Sequence, residues 1–136
     1  MYFKEFEIRW SDIDANQHLG NAVYIDYLSH TRMSFFKEKK LGVDIMNKHS
    51  LGPVALYEHV YYFREVLIEK TIKVSLETSG YSEDGRFIAF EHNFYDEEGK
   101  NLAFSDMLFS WIDLETRKLA TIPDEIIEII KTFPKS

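Results

Sequence analysis

The chain has 136 residues, carries a net charge of −7 and contains no cysteine. That length suits one folded unit over residues 1–136, able to bury roughly two thirds of its unfolded surface. The missing thiols exclude a disulfide framework, a thiolate metal site and a cysteine nucleophile, and the acidic balance speaks against nucleic acid, whose binding rests on a basic footprint.

Residues 2–9 alternate as a first strand, with Phe6 and Ile8 on one face and Phe3, Glu5 and Glu7 on the other. This opening lacks the basic start and apolar run of a secretory signal. No stretch reaches the roughly 18 apolar residues of a membrane span, so the expected location is cytoplasmic. The run Asp12-Ile13-Asp14-Ala15-Asn16-Gln17-His18-Leu19-Gly20-Asn21 comes next. From Ala22 to Lys40 the spacing turns helical: Val23, Tyr24, Tyr27, Leu28, Thr31, Ser34 and Phe35 share one side, and Ile25 and Phe36 widen it. Asp26, His30, Lys37 and Lys40 collect opposite. Lys37, Lys39 and Lys40 oppose the dipole at the last turn, with Gly42 as the expected C-cap.

A short segment, Val43–His49, leads to Gly52-Pro53 and then to four strand-like runs, 54–64, 70–81, 86–96 and 101–113. Glu83-Asp84-Gly85 and Glu97-Glu98-Gly99 each place a glycine where a hairpin turn needs positive φ, so the last three runs are expected to pair antiparallel. Pro123-Asp124-Glu125 opens a C-terminal helix from Ile126 to Phe133. One long helix facing a meander of strands is α+β packing. Glu58 shares its parity with Val54, Leu56, Val60 and Tyr62. A carboxylate on an apolar face is read as an edge position or a misread register in preference to a functional acid. In the misread register His59 and Tyr61 would face inward.

The run before the helix gathers chemistry. Asp14, Asn16 and His18 are separated by one residue each, and a carboxylate, an amide and an imidazole cover the needs of hydrolysis: a base or nucleophile, an orienter, and a group titrating near neutrality. The competing reading is that Asp and Asn here only cap the helix or shape a turn. Asp12 is read as structural. A metal held by Asp12, Asp14 and His18 is the weaker possibility, for want of further ordered ligands, and the reading calls for no cofactor. Arg64, Lys70, Lys73 and Arg86 suit phosphate chemically but are read as solvated surface charge.

The stretch from Arg9 to Leu28, RWSDIDANQHLGNAVYIDYL, resembles the opening signature of hotdog-fold acyl thioesterases, both the 4-hydroxybenzoyl-CoA thioesterase-like hydrolases of bacteria and the acyl-carrier-protein thioesterases of plants. Tyr61-Tyr62-Phe63-Arg64 and Phe109-Ser110-Trp111-Ile112-Asp113-Leu114 extend the likeness loosely. The resemblance implies a hotdog fold, a long central helix wrapped by a curved antiparallel sheet of about five strands. It implies hydrolysis of an acyl-CoA or acyl-ACP, with Asp14 as nucleophile or general base. Asn16 and His18 would support it, and the Asn21 backbone amide would be the oxyanion donor. Gly20 would let the backbone approach closely. Tyr24 or Leu28 is expected to touch the acyl group. It also implies a homodimer or homotetramer with sites between subunits. A hotdog hydratase or dehydratase is the first competitor, but its Asp-x-Asn-Pro-x-His run has a proline that is missing after Asn16. A non-catalytic acyl-CoA-binding domain would not need Asp14.

Overall fold

The computed structural model describes residues 1–68 and 70–136. Its strands are β1 (Tyr2–Glu7), β2 (Leu51–Tyr62), β3 (Thr71–Tyr81), β4 (Phe87–Tyr95) and β5 (Asn101–Asp113), and its helices are α1 (Asn21–Glu38), α2 (Val43–Lys48) and α3 (Asp124–Ile130). The acidic turns behave as their sequence demands: Gly85 (φ 73°) and Gly99 (φ 85°) take the left-handed conformation, and β3, β4 and β5 follow one another antiparallel. β1 adds beside β3 and β2 beside β5, giving the sheet order β1-β3-β4-β5-β2. This sheet wraps α1 in the hotdog arrangement, and β2 is left as a free edge.

The end of α1 departs from expectation. Lys40, not a glycine, takes positive φ (62°), whereas Gly42 sits at φ −68° as the N-cap of α2. The chain is short of residues here: α2 starts so soon that the glycine serves the next helix, and a lysine bears a conformation that favours glycine.

Two apolar clusters hold α1 to the sheet. One gathers Phe35, Phe36, Phe90, Phe109, Trp111 and Phe133 with the α3 isoleucines; the other gathers Tyr24, Leu28, Leu19, Ile72, Val74, Phe94 and Ala103. Full burial of one such large side chain contributes about 1.5–3 kcal/mol. The clusters are separated by a polar layer. On α1 Arg32 lies between Leu28 and Phe35, on β4 His92 between Phe94 and Phe90, and on β5 Ser105 between Ala103 and Met107, all three buried, while β3 contributes the Ser75 carbonyl, which faces His92 Nδ1.

Glu58 of β2 closes that layer. Its carboxylate approaches Arg32 Nη1 to 3.0 Å with only 13% of its side chain exposed. The parity reading of β2 therefore holds for Glu58, Val60 and Tyr62, and the edge position is also right. A bulge between Ala55 and Tyr57 shifts the phase, however, so that Pro53 and Ala55, opposite Trp111 and Phe109, take the inner face in place of Val54 and the exposed Leu56. Beyond the bulge the register is as read: Tyr24 meets Tyr62 across the inner face with ring centroids 4.9 Å apart, while His59 pairs with Asp106 at 3.2 Å among half-exposed side chains.

Candidate functional site

The run between β1 and α1 is a small hairpin. Ile13 and Leu19 pair as an isolated antiparallel bridge, the Asp14 N–H donates to the His18 carbonyl (3.0 Å), and the Gln17 N–H donates back to the Asp14 carbonyl (3.0 Å). Gln17 takes φ 66° to close the turn. The Asp14 carboxylate accepts the Asn16 N–H at 2.8 Å, an Asx turn formed by side chain and backbone two residues apart. Asp14 is thus no helix cap. The N-cap of α1 is Gly20, which makes no side-chain cap.

The hairpin is tied down at its base. The Leu19 N–H donates to the Val66 carbonyl (2.7 Å) and the Gly20 N–H to the Asp12 carbonyl (3.0 Å). Asp12 is buried and accepts the Arg9 N–H (3.1 Å), Arg9 Nε (3.2 Å) and Nη2 (3.2 Å), and the Tyr27 hydroxyl (2.7 Å). Burial alone would raise its carboxyl, but the Arg9 and Tyr27 hydrogen bonds together hold it below the usual carboxylate value. Tyr27 is correspondingly raised, by burial first and then by its bond to that carboxylate. The structural reading of Asp12 fits this saturated carboxylate, which has little left to offer a metal. Gly20 has an ordinary φ of −69°, and an added Cβ would meet the Asp12 carbonyl at 3.7 Å. No neighbouring group of the protein itself therefore demands a glycine there.

Two residues after Asp12, Asp14 is in a different situation. About a third of its side chain is exposed, 35%, beside a His18 at 34%, and His18 Nδ1 stands 3.9 Å from Asp14 Oδ2. That is an ion-pair distance, beyond hydrogen-bond length. His18 and Asn21 line a cleft of about 270 Å³ with Leu19, Tyr24, Tyr62, Phe63, Arg64 and Glu65. The opening N–H groups of a helix have no partner within it, and the Asn21 N–H donates to no group among the described residues. The structure therefore brings His18 and Asn21 onto one cleft, with Asp14 behind His18. Asn16 lies exposed on the turn, offering Asp14 its backbone rather than its amide side chain.

Of the helix stripe, Tyr24 lines the cleft, and burial followed by the neighbouring Tyr62 pushes its hydroxyl up to about 12. Leu28 is fully buried in the core and lines no described cavity, so of the two residues expected at the acyl group it is Tyr24 that reaches the cleft. Phe63, Arg64 and Glu65 join the site from the far side, and the sequence reading assigns none of them to it. Their signal is present, an aromatic run ending in a guanidinium, but only the fold shows that the end of β2 reaches α1's first turn.

Residues 8–130 match the sequence pattern of the thioesterase-like superfamily. The chain belongs to that family. No curated protein is similar enough to match it. Among solved structures, the hypothetical protein SAV2348 from Staphylococcus aureus, in complex with CoA, superposes with a TM-score of 0.88 at 19% identity, over 95% of this chain and 80% of that one. A DHNA-CoA thioesterase from Staphylococcus aureus gives 0.87 at 15% identity, over 95% of this chain and 87% of that one. The probable thioesterase YbaW from Escherichia coli gives 0.82 at 21% identity, over 98% of both chains. At these identities the likeness is one of fold.

Proposed function

We propose that this thioesterase-like chain hydrolyses an acyl thioester to a free carboxylic acid and a thiol, with coenzyme A or an acyl carrier protein as the carrier. The observation that carries the reading is that His18 and the unspent Asn21 amide share one cleft, with the Asp14 carboxylate 3.9 Å from the His18 ring. As a general base, the Asp14 carboxylate takes a proton from a water whose oxygen attacks the thioester carbon. As a nucleophile, it attacks that carbon itself and expels the thiolate, leaving a mixed anhydride for water to cleave. Both routes put negative charge on the carbonyl oxygen, and the Asn21 N–H at the positive end of α1 meets that charge as it forms. In the general-base route the proton taken by Asp14 passes by way of His18 to the departing thiolate. In the nucleophile route the water that cleaves the anhydride supplies that proton, again through His18, which stands within ion-pair distance of Asp14. Asn16 fixes the carboxylate through its backbone N–H.

The carrier reading leans toward coenzyme A. The Staphylococcus aureus neighbour holds CoA, and Arg64 at the cleft offers paired donors for phosphate. A second copy of the chain belongs to the reading, as a dimer or a tetramer. β2 is a free edge that leaves Tyr57, Tyr61, Tyr62 and Phe63 about half exposed, and an exposed apolar edge calls for a pairing strand. The cleft lies at the end of that same strand. The hydratase alternative lacks the proline that its Asp-x-Asn-Pro-x-His run would place after Asn16.

The test is thiol release from acetyl-, octanoyl-, palmitoyl- and benzoyl-CoA and from an octanoyl carrier protein by the purified chain. The expected result is turnover of at least one, abolished in Asp14→Asn. Hydration of an enoyl-CoA without thiol release would favour the competing class, and tight CoA binding without any turnover would favour a binding domain.

A further inference from the structure

The polar layer between the two apolar clusters crosses the seam between α1 and β2, and that seam begins at the candidate site. On the site side it opens into the cleft lined by Asn21, Tyr24 and Tyr62. About three helical turns further on lies a second hollow of about 180 Å³, lined by Ser29, Arg32, Met33, Phe36, Val54 and Met107 among others. All but the first two of these are apolar. Between the two hollows stand Val60 and the Arg32–Glu58 ion pair, 3.0 Å apart and almost wholly buried.

We infer that the Arg32–Glu58 pair is a partition that limits the acyl chain this protein accepts, closing the seam before its second apolar hollow. The inference rests on the thioesterase reading and names its substrate class: acyl groups of short to medium length.

The arginine of the pair has a second buried partner. Arg32 Nη1 also donates to His92 Nε2 at 3.2 Å, and the opposite ring nitrogen, Nδ1, donates to the Ser75 carbonyl at 2.7 Å. A carbonyl cannot donate, so Nδ1 carries the proton and Nε2 is the acceptor. The ring is therefore neutral, and Glu58 is the counter-ion of Arg32. An apolar chain growing along the seam gains by leaving water, but to pass this point it must pull the guanidinium away from the carboxylate in a low-dielectric interior without offering either a partner. The distance from Asn21 to Arg32 along α1 is about 16 Å, comparable with an extended decanoyl or dodecanoyl chain.

The experiment compares kcat/KM for acetyl-, hexanoyl-, octanoyl-, decanoyl-, myristoyl- and palmitoyl-CoA in the parent chain and in the double variant Arg32→Met, Glu58→Met. Removing both charges together leaves no orphaned ion, and melting curves report whether the loss of the His92 donor disturbs the fold. In the parent, activity should fall at least about tenfold between decanoyl- and palmitoyl-CoA, the equivalent of about 1.4 kcal/mol. The variant should keep acetyl-CoA turnover and raise palmitoyl-CoA turnover to near its octanoyl value. A parent that cleaves palmitoyl-CoA as well as octanoyl-CoA overturns the partition even if the variant fails to fold, as does a folded variant with an unchanged length profile. In either case the thioesterase reading stands, whereas absence of turnover on every thioester removes both.

Discussion

Two of the groupings in this protein that gather an imidazole and a carboxylate share almost nothing else. In the hairpin before α1, Asp14 and His18 stand 3.9 Å apart, each about a third exposed, at the edge of a cleft. In the layer beneath α1, Glu58 and His92 flank Arg32, which borders the smaller apolar hollow, and His92 is wholly buried. Residue type does not separate the reactive grouping from the structural one. Exposure does: the hairpin keeps an unspent amide and a carboxylate about a third open to solvent, whereas the layer buries Arg32 against Glu58 and engages both His92 nitrogens. Asp12 and Asp14 repeat the contrast within one turn of chain. The first is consumed by Arg9 and Tyr27, while the second accepts one exposed backbone amide.

Removing one partner of the buried pair strikes at the strongest point of this contrast. Glu58→Ala strands the Arg32 charge and should cost about 3–5 kcal/mol in denaturant titration. Asp14→Asn should cost under about 0.5 kcal/mol, as expected of a surface position. Equal losses would mean that the two groupings do not differ in the way burial implies.

Acid should discriminate them next. Burial first and the Arg32 charge second push His92 from its ordinary 6.5 down to about 3. Between those values the unfolded chain binds a proton that the folded one refuses, so stability falls as the pH drops from about 6.5 toward about 3. Asp12, held below its ordinary 3.8, adds a further loss only as the pH falls below that value. Melting temperature against pH should show the first slope in the parent and lose most of it in His92→Gln, whose amide can still accept from Arg32. An unchanged slope would place the acid sensitivity elsewhere.

Smaller effects sharpen the hairpin side. His18→Ala should lower turnover on the order of tenfold, less than loss of the carboxylate, because the Asn21 amide remains. A larger loss than that of Asp14→Asn would reverse the roles. Asn16→Ala should change turnover by less than about twofold, the scale of a surface substitution, since its backbone N–H makes the contact. A large loss would assign the amide side chain a direct role in the reaction.

How legible all this was in the sequence depended on the range of the signal. β3, β4 and β5 were readable because period-two alternation and two acidic glycine turns are local. α1 was readable because its stripe spans five turns. Asp14, His18 and Asn21 were readable because they are neighbours in sequence and resemble a known signature. Arg32 was not: an arginine on an apolar stripe can be understood only with Glu58 and His92 in view, and these come from strands far along the chain. The Phe63–Glu65 wall of the cleft was hidden for the same reason. Lys40 in the left-handed conformation escaped because Gly42, two residues on, offered the better local signal while α2 claimed it first.

The most direct test of the account is to measure thiol release and thermal melting on the same preparation of Asp14→Asn. The substitution keeps the shape of the side chain and can retain its acceptor for the Asn16 N–H, while removing the charge that a base or nucleophile needs. The account predicts turnover reduced by at least about 100-fold with an unchanged melting temperature. Turnover within a few-fold of the parent, or a loss of activity that merely follows a loss of fold, would contradict it.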